Sequence, residues 1–270
     1  MICAIGSNAD DERHLAAFNA MHGTQIQLTP IEGSNLVALA SNRFGPAAVM
    51  RLRLNEYLSP VYDRVLYIDS DCLVLGPIRE LLECDLDAHP VGAVQSLSVL
   101  ELFSPRKAGY LKSIGLDPAL PYLNSGMLLF DWPVVLERQI LLRANEVLSG
   151  AGMLAWPDQD ALNLVLKQDW KKLGQRWNFM SSIGKRLPGH GTIEIGIRHF
   201  NSRWKPWSSA CHLSDWKYRS YYTENLSGSG WESFVERPAF AKLLRRVITG
   251  LKKRQLVPRI TGGISGKLFG

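Results

Sequence analysis

Short apolar runs alternate with stretches of helical spacing along most of the chain, the pattern of an α/β protein. Ile2–Ile5 reads as a strand. Asp10–Met21 reads as a helix that Asn8 or Asp10 can cap and Gly23 can end. Gln25–Ile31 alternates and reads as a second strand. Ala47–Leu58 reads as a helix with Val49, Leu52 and Leu54 on its apolar side. Arg64–Ile68 is a buried strand that runs straight into Asp69-Ser70-Asp71, and Cys72–Leu75 is a short apolar run. Val91–Val94 is another strand, and Tyr122–Phe130 contains one after a turn at Asn124-Ser125-Gly126. Val134–Leu148 reads as one long helix, Asp158–Leu166 as a short one and Ile193–Phe200 as a late strand. Ser227–Gly230 reads as a flexible link, and Pro238–Lys253 as a terminal helix with Phe240, Leu243, Leu244, Val247 and Leu251 on one face. No internal repeat is visible.

The first chemical signal is Asp69-Ser70-Asp71 at the polar end of an apolar strand. Burying two unpaired carboxylates there would be expensive. Residues i and i+2 of a strand point the same way, so both can face one cleft. Such a pair suits a hard divalent cation, Mn²⁺ or Mg²⁺, bridged to phosphate oxygens. By itself D-x-D also fits a solvated turn; the Val-Leu-Tyr-Ile run before it raises its weight.

Composition narrows the classes. The 270 residues suffice for one α/β domain or two small ones, and 46% apolar with 21% charged side chains is ordinary for a soluble protein. No apolar stretch reaches the roughly 18 residues of a membrane span. The start lacks a basic segment and a long apolar one, so the sequence suggests a cytoplasmic protein without a signal peptide. Four cysteines without a C-x-x-C pair argue against a zinc site or a disulfide framework. The net charge of +6 is local: nine of the 31 Lys and Arg lie in residues 237–270, where there is no Asp or Glu. The remaining 22 are outnumbered by 25 acidic residues, so nothing suggests a nucleic-acid groove.

Five ordered segments carry a resemblance. They are Met50–Leu58 with Arg64–Val74, Tyr122-Leu-Asn-Ser-Gly-Met-Leu-Leu-Phe130, Asp158-Gln-Asp-Ala-Leu-Asn163, His199-Phe-Asn-Ser-Arg-Trp-Lys-Pro-Trp207 and, more softly, Arg176-Trp-Asn-Phe179. Together they resemble glycosyltransferase family 8, which includes glycogenin and bacterial lipopolysaccharide galactosyl- and glucosyltransferases. The resemblance implies a GT-A nucleotide-diphosphate-sugar transferase fold, a Rossmann-like mixed sheet flanked by helices. It implies a retaining transfer of a hexose from a UDP-sugar to a glycan or lipid-linked glycan.

The same resemblance implies roles. Asp69, Asp71 and His199 would hold Mn²⁺ or Mg²⁺ against the UDP diphosphate. Arg51, Ser70, Ser202 and Lys205 would contact the donor, Lys205 supplying positive charge to the β-phosphate. Asn124, Asp158 and Gln159 would line the sugar pocket, where paired hydrogen bonds discriminate hydroxyl orientation. An amide at Gln159 is a poor nucleophile, which favours a front-face route over a carboxylate-type double displacement. Asp160 has a helix-supporting reading. Trp156, Trp177, Trp204 and Trp207 surround these segments and suit either sugar faces or core packing.

Two departures stand out. Ser202 occupies a position where the family has glycine close to the diphosphate. Counting back from Arg51, the family's first strand-helix unit is missing; an upstream start, a shortened connection with Ile2–Ile5 as first strand, or a decayed copy would each explain this. The catalytic domain is read as residues 1–236 and a basic amphipathic tail as 237–270, which could lie on the inner face of a membrane or pack on the protein. The competing reading is an inactive homologue that binds UDP-sugar or glycan without turnover. A nucleotidyltransferase would need a Gly-rich phosphate loop near the start, which is absent.

Overall fold

The computed structural model describes residues 2–5, 7–31, 48–96, 105–150, 154–180, 193–202, 204–211 and 213–238. The terminal helix expected at Pro238–Lys253 and nearly all of the basic tail lie outside the described residues. The chain divides into two compact units, Met1–Leu15 with Gln25–Asn201, and Ala16–Thr24 with Ser202–Gly270.

The chain opens with β1 (Ile2–Ile5), α1 (Ala9–His22) and β2 (Leu28–Ile31); the two strands pair in parallel. Asn8 is the residue that caps α1: its Oδ1 accepts from the backbone N–H of Asp10 (2.8 Å) and Asp11 (3.2 Å), and Asp11 Oδ2 accepts from Asn8 N–H (3.0 Å). Gly23 closes the helix with a left-handed φ of 62°.

The larger sheet has the order β3 (Arg64–Ile68), β6 (Leu123–Asp131), β5 (Val91–Gln95), β7 (Lys171–Leu173). It is mixed: β6 runs antiparallel to both neighbours, and β5 pairs with β7 in parallel. β6 is buried on both faces, which explains the apolar run Met127–Phe130 in its second half. Leu128 and Phe130 join Leu52, Val91, Ala93, Trp132, Ile140 and Leu162 in one core. Met127 and Leu129 point the other way and join Leu81, Leu86, Val94, Leu173, Trp177 and Ile197 in a second. A smaller sheet has the order β4 (Cys72–Val74), β9 (Ile197–His199), β8 (Phe179–Met180).

Several sequence expectations are corrected. Asn124-Ser125-Gly126 is not a turn but part of β6, at a register shift where β5 residues Ala93 and Val94 face Leu128 and Asn124. This bulge turns side chains toward one place on the sheet. The helix expected at Ala47–Leu58 is a 3-10 segment, Met50–Glu56. The single helix expected at Val134–Leu148 is two, Trp132–Glu137 and Ile140–Gly150, separated where Gln139 has a φ of 51°. The late strand shrinks to three residues, β9.

In the second unit, a 3-10 segment (Leu213–Tyr218) leads into a helix, Arg219–Asn225. The buried Arg219 donates to the carbonyls of Pro206 (2.8 Å), Ser208 (3.0 Å) and Glu236. Trp207 packs between Tyr222 and Phe234. Ser227–Gly230 is an ordered turn rather than a flexible link: Ser229 is buried and its hydroxyl donates to Leu226 O (2.7 Å). No helix among the described residues is long and apolar enough to cross a membrane.

Candidate functional site

The first carboxylate follows the last residue of β3. Asp69 N–H donates to Gly126 O across the sheet (2.9 Å), and Cys72 N–H donates back to Asp69 O (3.0 Å). The second bond closes a β-turn through Ser70 and Asp71, with Ser70 exposed at its tip. Asp69 and Asp71 are therefore first and third in a tight turn, not neighbours along one face of a strand. The convergence survives this correction, because β9 brings His199 to both. Cys72 pairs with His199 in the β4–β9 register, and Phe200 N–H donates to Asp71 O (2.8 Å). His199 Nε2 then lies 3.2 Å from Asp71 Oδ1 and 3.8 Å from Asp69 Oδ2.

Arg51 is buried, 5% exposed. Its guanidinium lies 2.8 Å from Asp69 Oδ1 and 3.1 Å from Asp158 Oδ2, and it donates to Ser125 O. The Tyr67 hydroxyl donates to Asp69 Oδ1 (2.7 Å), and the guanidinium stacks over its ring. Burial by itself lowers the Arg51 pKa, but the carboxylates of Asp158 and Asp69 outweigh it and hold the pKa above the ordinary value. Burial dominates at Asp158 and raises its carboxyl despite Arg51. Arg51→Met should therefore leave two carboxylates facing each other without their cation, at a cost of about 3–5 kcal/mol. A calorimetric melt is expected to show the loss, with partial recovery in Mn²⁺. A variant that melts like the parent would remove this role from Arg51.

The helix Pro157–Leu166 supplies the opposite wall, and Asp158, Gln159, Asp160 and Asn163 on it are all buried. Gln159 Oε1 accepts from Asn124 Nδ2 (2.8 Å) and from Ser125 N–H (3.2 Å). Asn163 grips Leu123 of β6 from both sides, accepting from its N–H (2.8 Å) and donating to its carbonyl (3.1 Å). Asp160 accepts from Tyr110 and Tyr122 hydroxyls (2.6 and 2.5 Å) and from Trp156 N–H (2.9 Å), so its carboxylate serves the helix start and its surroundings.

The structure thus brings together Arg51, Asp69, Asp71, Asn124, Asp158, Gln159 and His199. Ser202 and Lys205 belong to the second unit, where the Ser202 hydroxyl donates to Trp204 O (3.0 Å). Of the tryptophans, Trp177 is core, Trp207 packs within the second unit, and Trp156 meets Tyr110 edge-on. Sequence reasoning missed Tyr67, Cys72, Gly126, Asn163 and Asn178. All lie inside the segments it singled out, so position marked them but residue chemistry did not.

The donor set can be tested against a divalent cation. One ligand atom each from Asp71, Cys72 and His199 lie within 4.8 Å of one another, and Asp69 Oδ2 is 3.8 Å from the same imidazole nitrogen. Burial, then the two carboxylates, push the Cys72 thiol well up, which leaves oxygen and imidazole as the charged and basic donors. That set fits Mn²⁺ or Mg²⁺.

Comparison with known proteins gives one answer. The model of glycosyl transferase family 8 matches residues 1–211. General stress protein A of Bacillus subtilis is 26% identical, over 87% of this chain and 83% of its own length. The lipopolysaccharide 1,3-galactosyltransferase of Salmonella typhimurium is 25% identical, over 83% of this chain and 67% of its own. Among solved structures, galactosyltransferase LgtC, crystallised with donor and acceptor sugar analogues, superposes with a TM-score of 0.70 at 24% identity, covering 85% of this chain and 86% of that one. The last likeness shows the GT-A fold, and the match over residues 1–211 settles the rest: the chain belongs to glycosyl transferase family 8.

Proposed function

We propose that the protein transfers a hexose, galactose or glucose, from a UDP-sugar to a glycan acceptor with retention of configuration. Asp69, Asp71 and His199 would hold Mn²⁺ or Mg²⁺. The observation that carries this reading is the approach of His199 Nε2 to both Asp71 (3.2 Å) and Asp69 (3.8 Å) beside a buried polar wall. When bound, the cation supplies positive charge to the diphosphate as it departs. Lys205 and Ser202, in the second unit, keep the donor roles that the resemblance implies for them. Arg51 holds Asp69 and Asp158 in place. Asp158, Asn124 and Gln159 fix the sugar by its hydroxyls. Gln159 Oε1 already accepts two hydrogen bonds, which weakens it further as a nucleophile and supports the front-face route. In that route the phosphate oxygen takes the proton of the incoming acceptor hydroxyl.

The experiment is hydrolysis and transfer of UDP-galactose and UDP-glucose with and without Mn²⁺, the anomer being followed by NMR. Metal-dependent release with the α-anomer kept is expected for one of the two sugars. Binding of UDP with no turnover of either would favour an inactive sugar-nucleotide binder.

The relatives named for lipopolysaccharide synthesis support a lipid-linked glycan as acceptor. An enzyme on such an acceptor gains from sharing its surface, and each basic residue near an anionic bilayer contributes about 1 kcal/mol. The nine basic residues after Glu236 suit a peripheral contact on the cytoplasmic face. The full chain should co-sediment with anionic liposomes at low salt, and a chain ending at Glu236 should not. Equal behaviour of the two would remove the membrane role.

A further inference from the structure

We propose that Asn178 is a positioning residue: it fixes the proton of His199 on Nδ1, turns Nε2 toward the two aspartates, and through Asn124 sets the direction of the Gln159 amide. The proposal goes beyond the reading above and rests on it for the identity of the cation and of the sugar-nucleotide substrate.

Asn178 ends the 3-10 segment Gln175–Asn178 and is fully buried. Its Oδ1 lies 2.8 Å from His199 Nδ1, and its Nδ2 donates to Asn124 Oδ1 (2.7 Å). Asn124 Nδ2 in turn donates to Gln159 Oε1 (2.8 Å). Four side chains from four elements therefore form one chain of hydrogen bonds.

The direction of that chain does not depend on which way each amide is drawn. A backbone N–H can only donate. Gly126 N–H points at one atom of the Asn124 amide (3.1 Å), so that atom is oxygen. The Asn178 atom facing the same oxygen at 2.7 Å must then be the NH₂ group. The other atom of the Asn178 amide is left as oxygen, an acceptor only, facing His199 Nδ1. His199 must therefore carry a proton on Nδ1. At the far end Ser125 N–H points at Gln159 (3.2 Å), which makes that atom oxygen and agrees with donation from Asn124 Nδ2. Two backbone N–H groups thus fix the Asn124 and Gln159 amides, and through Asn124 the Asn178 amide.

The consequence is at Nε2. In the neutral ring its lone pair faces Asp71 Oδ1 at 3.2 Å and Asp69 Oδ2 at 3.8 Å. A lone pair and two carboxylates repel unless a positive charge lies among them. A metal-binding imidazole is usually held by such a bond from its other nitrogen. Here the holder is an amide whose second arm reaches the sugar-pocket residues, so one buried side chain joins the two halves of the site.

The test uses the full chain and two variants, Asn178→Ala and the isosteric Asn178→Asp. The direct readout is the ¹⁵N NMR tautomer of His199, identified by its loss in His199→Gln, recorded without metal at a pH where imidazoles are neutral. The parent should show the proton on Nδ1, and Asn178→Ala should lose that preference. Titration of Mn²⁺ in the presence of UDP should show affinity falling about 10–100-fold in Asn178→Ala. Asn178→Asp still accepts from Nδ1 and should stay within about threefold of the parent. It cannot donate to Asn124 Oδ1, so its KM for the sugar nucleotide should rise while metal affinity holds. A purely structural role would move both variants together. A parent with its proton on Nε2, an Asn178→Ala that binds Mn²⁺ like the parent, or equal losses in both variants would overturn the proposal. Should Asn178→Ala fail to fold, the parent spectrum and Asn178→Asp still decide. Absence of Mn²⁺ binding by the parent would overturn the metal reading and leave the tautomer result standing.

Discussion

Asp71→Asn is expected to lower hexose transfer by about a thousandfold, roughly 4 kcal/mol in the barrier, while the protein melts at or above the parent temperature. The two halves of this expectation have separate causes. The side chain contributes a charged oxygen 3.2 Å from His199 Nε2, and an amide there is a far weaker ligand for a hard cation. The backbone of the same residue holds the fold, because its carbonyl accepts from Phe200 N–H (2.8 Å) whatever side chain it carries. In the metal-free protein the substitution also relieves repulsion between Asp69 and Asp71. Kinetics and calorimetry on the same preparation check both halves. Full Mn²⁺-dependent transfer by Asp71→Asn would remove the turn from the metal site.

The second large effect is expected from a single methyl group. Gly126 lies under the His199 ring, and a Cβ built there would stand 2.3 Å from His199 Cε1, 2.8 Å from Nδ1 and 3.0 Å from Asn124 Oδ1. Nothing at those distances can stay in place. The backbone cannot yield easily, since Gly126 O accepts from Asp69 N–H (2.9 Å) in the main sheet. The imidazole must therefore swing away, breaking its bond to Asn178 and withdrawing Nε2 from the aspartates. Gly126→Ala should lose about 100-fold or more in transfer rate, a cost of about 3 kcal/mol that matches misplacement of a positioned group by an ångström. Overpacking should also lower stability by about 1–3 kcal/mol. Steady-state kinetics with a denaturant melt measures both. Ordinary activity in the Gly126→Ala variant would mean that the ring does not need this place.

The parts of this molecule that were legible are those that local spacing writes down. Arg64–Ile68, half-buried at the end of its sheet rather than buried as expected, and the buried core of β6 announce themselves as apolar runs, and Asn8 and Gly23 bracket α1 by the chemistry of capping. The sites of failure share a different cause. Gln139 breaks a helix with a left-handed backbone that glycine or asparagine would have advertised. Asn124-Ser125-Gly126 has the composition of a turn, yet Val94 of β5 pairs with Asn124 and Asp69 N–H donates to Gly126 O, which holds the segment in the strand as a bulge. Spacing in Met50–Glu56 could not reveal that Arg51 is buried between Asp69 and Asp158, because those partners arrive from distant elements. The amide chain through Asn178 is the extreme case: its meaning lies in which atom donates, and only the folded register fixes that.

If Asp69, Asp71 and His199 form a cation site that receives a nucleotide diphosphate, UDP must bind through the metal. Calorimetric titration of the full chain with UDP, in Mn²⁺ and again in excess chelator, decides this. Binding should weaken at least about 100-fold when the metal is removed, because a diphosphate facing two carboxylates then loses the divalent charge between them. Equal UDP affinity with and without Mn²⁺ would contradict the cation site.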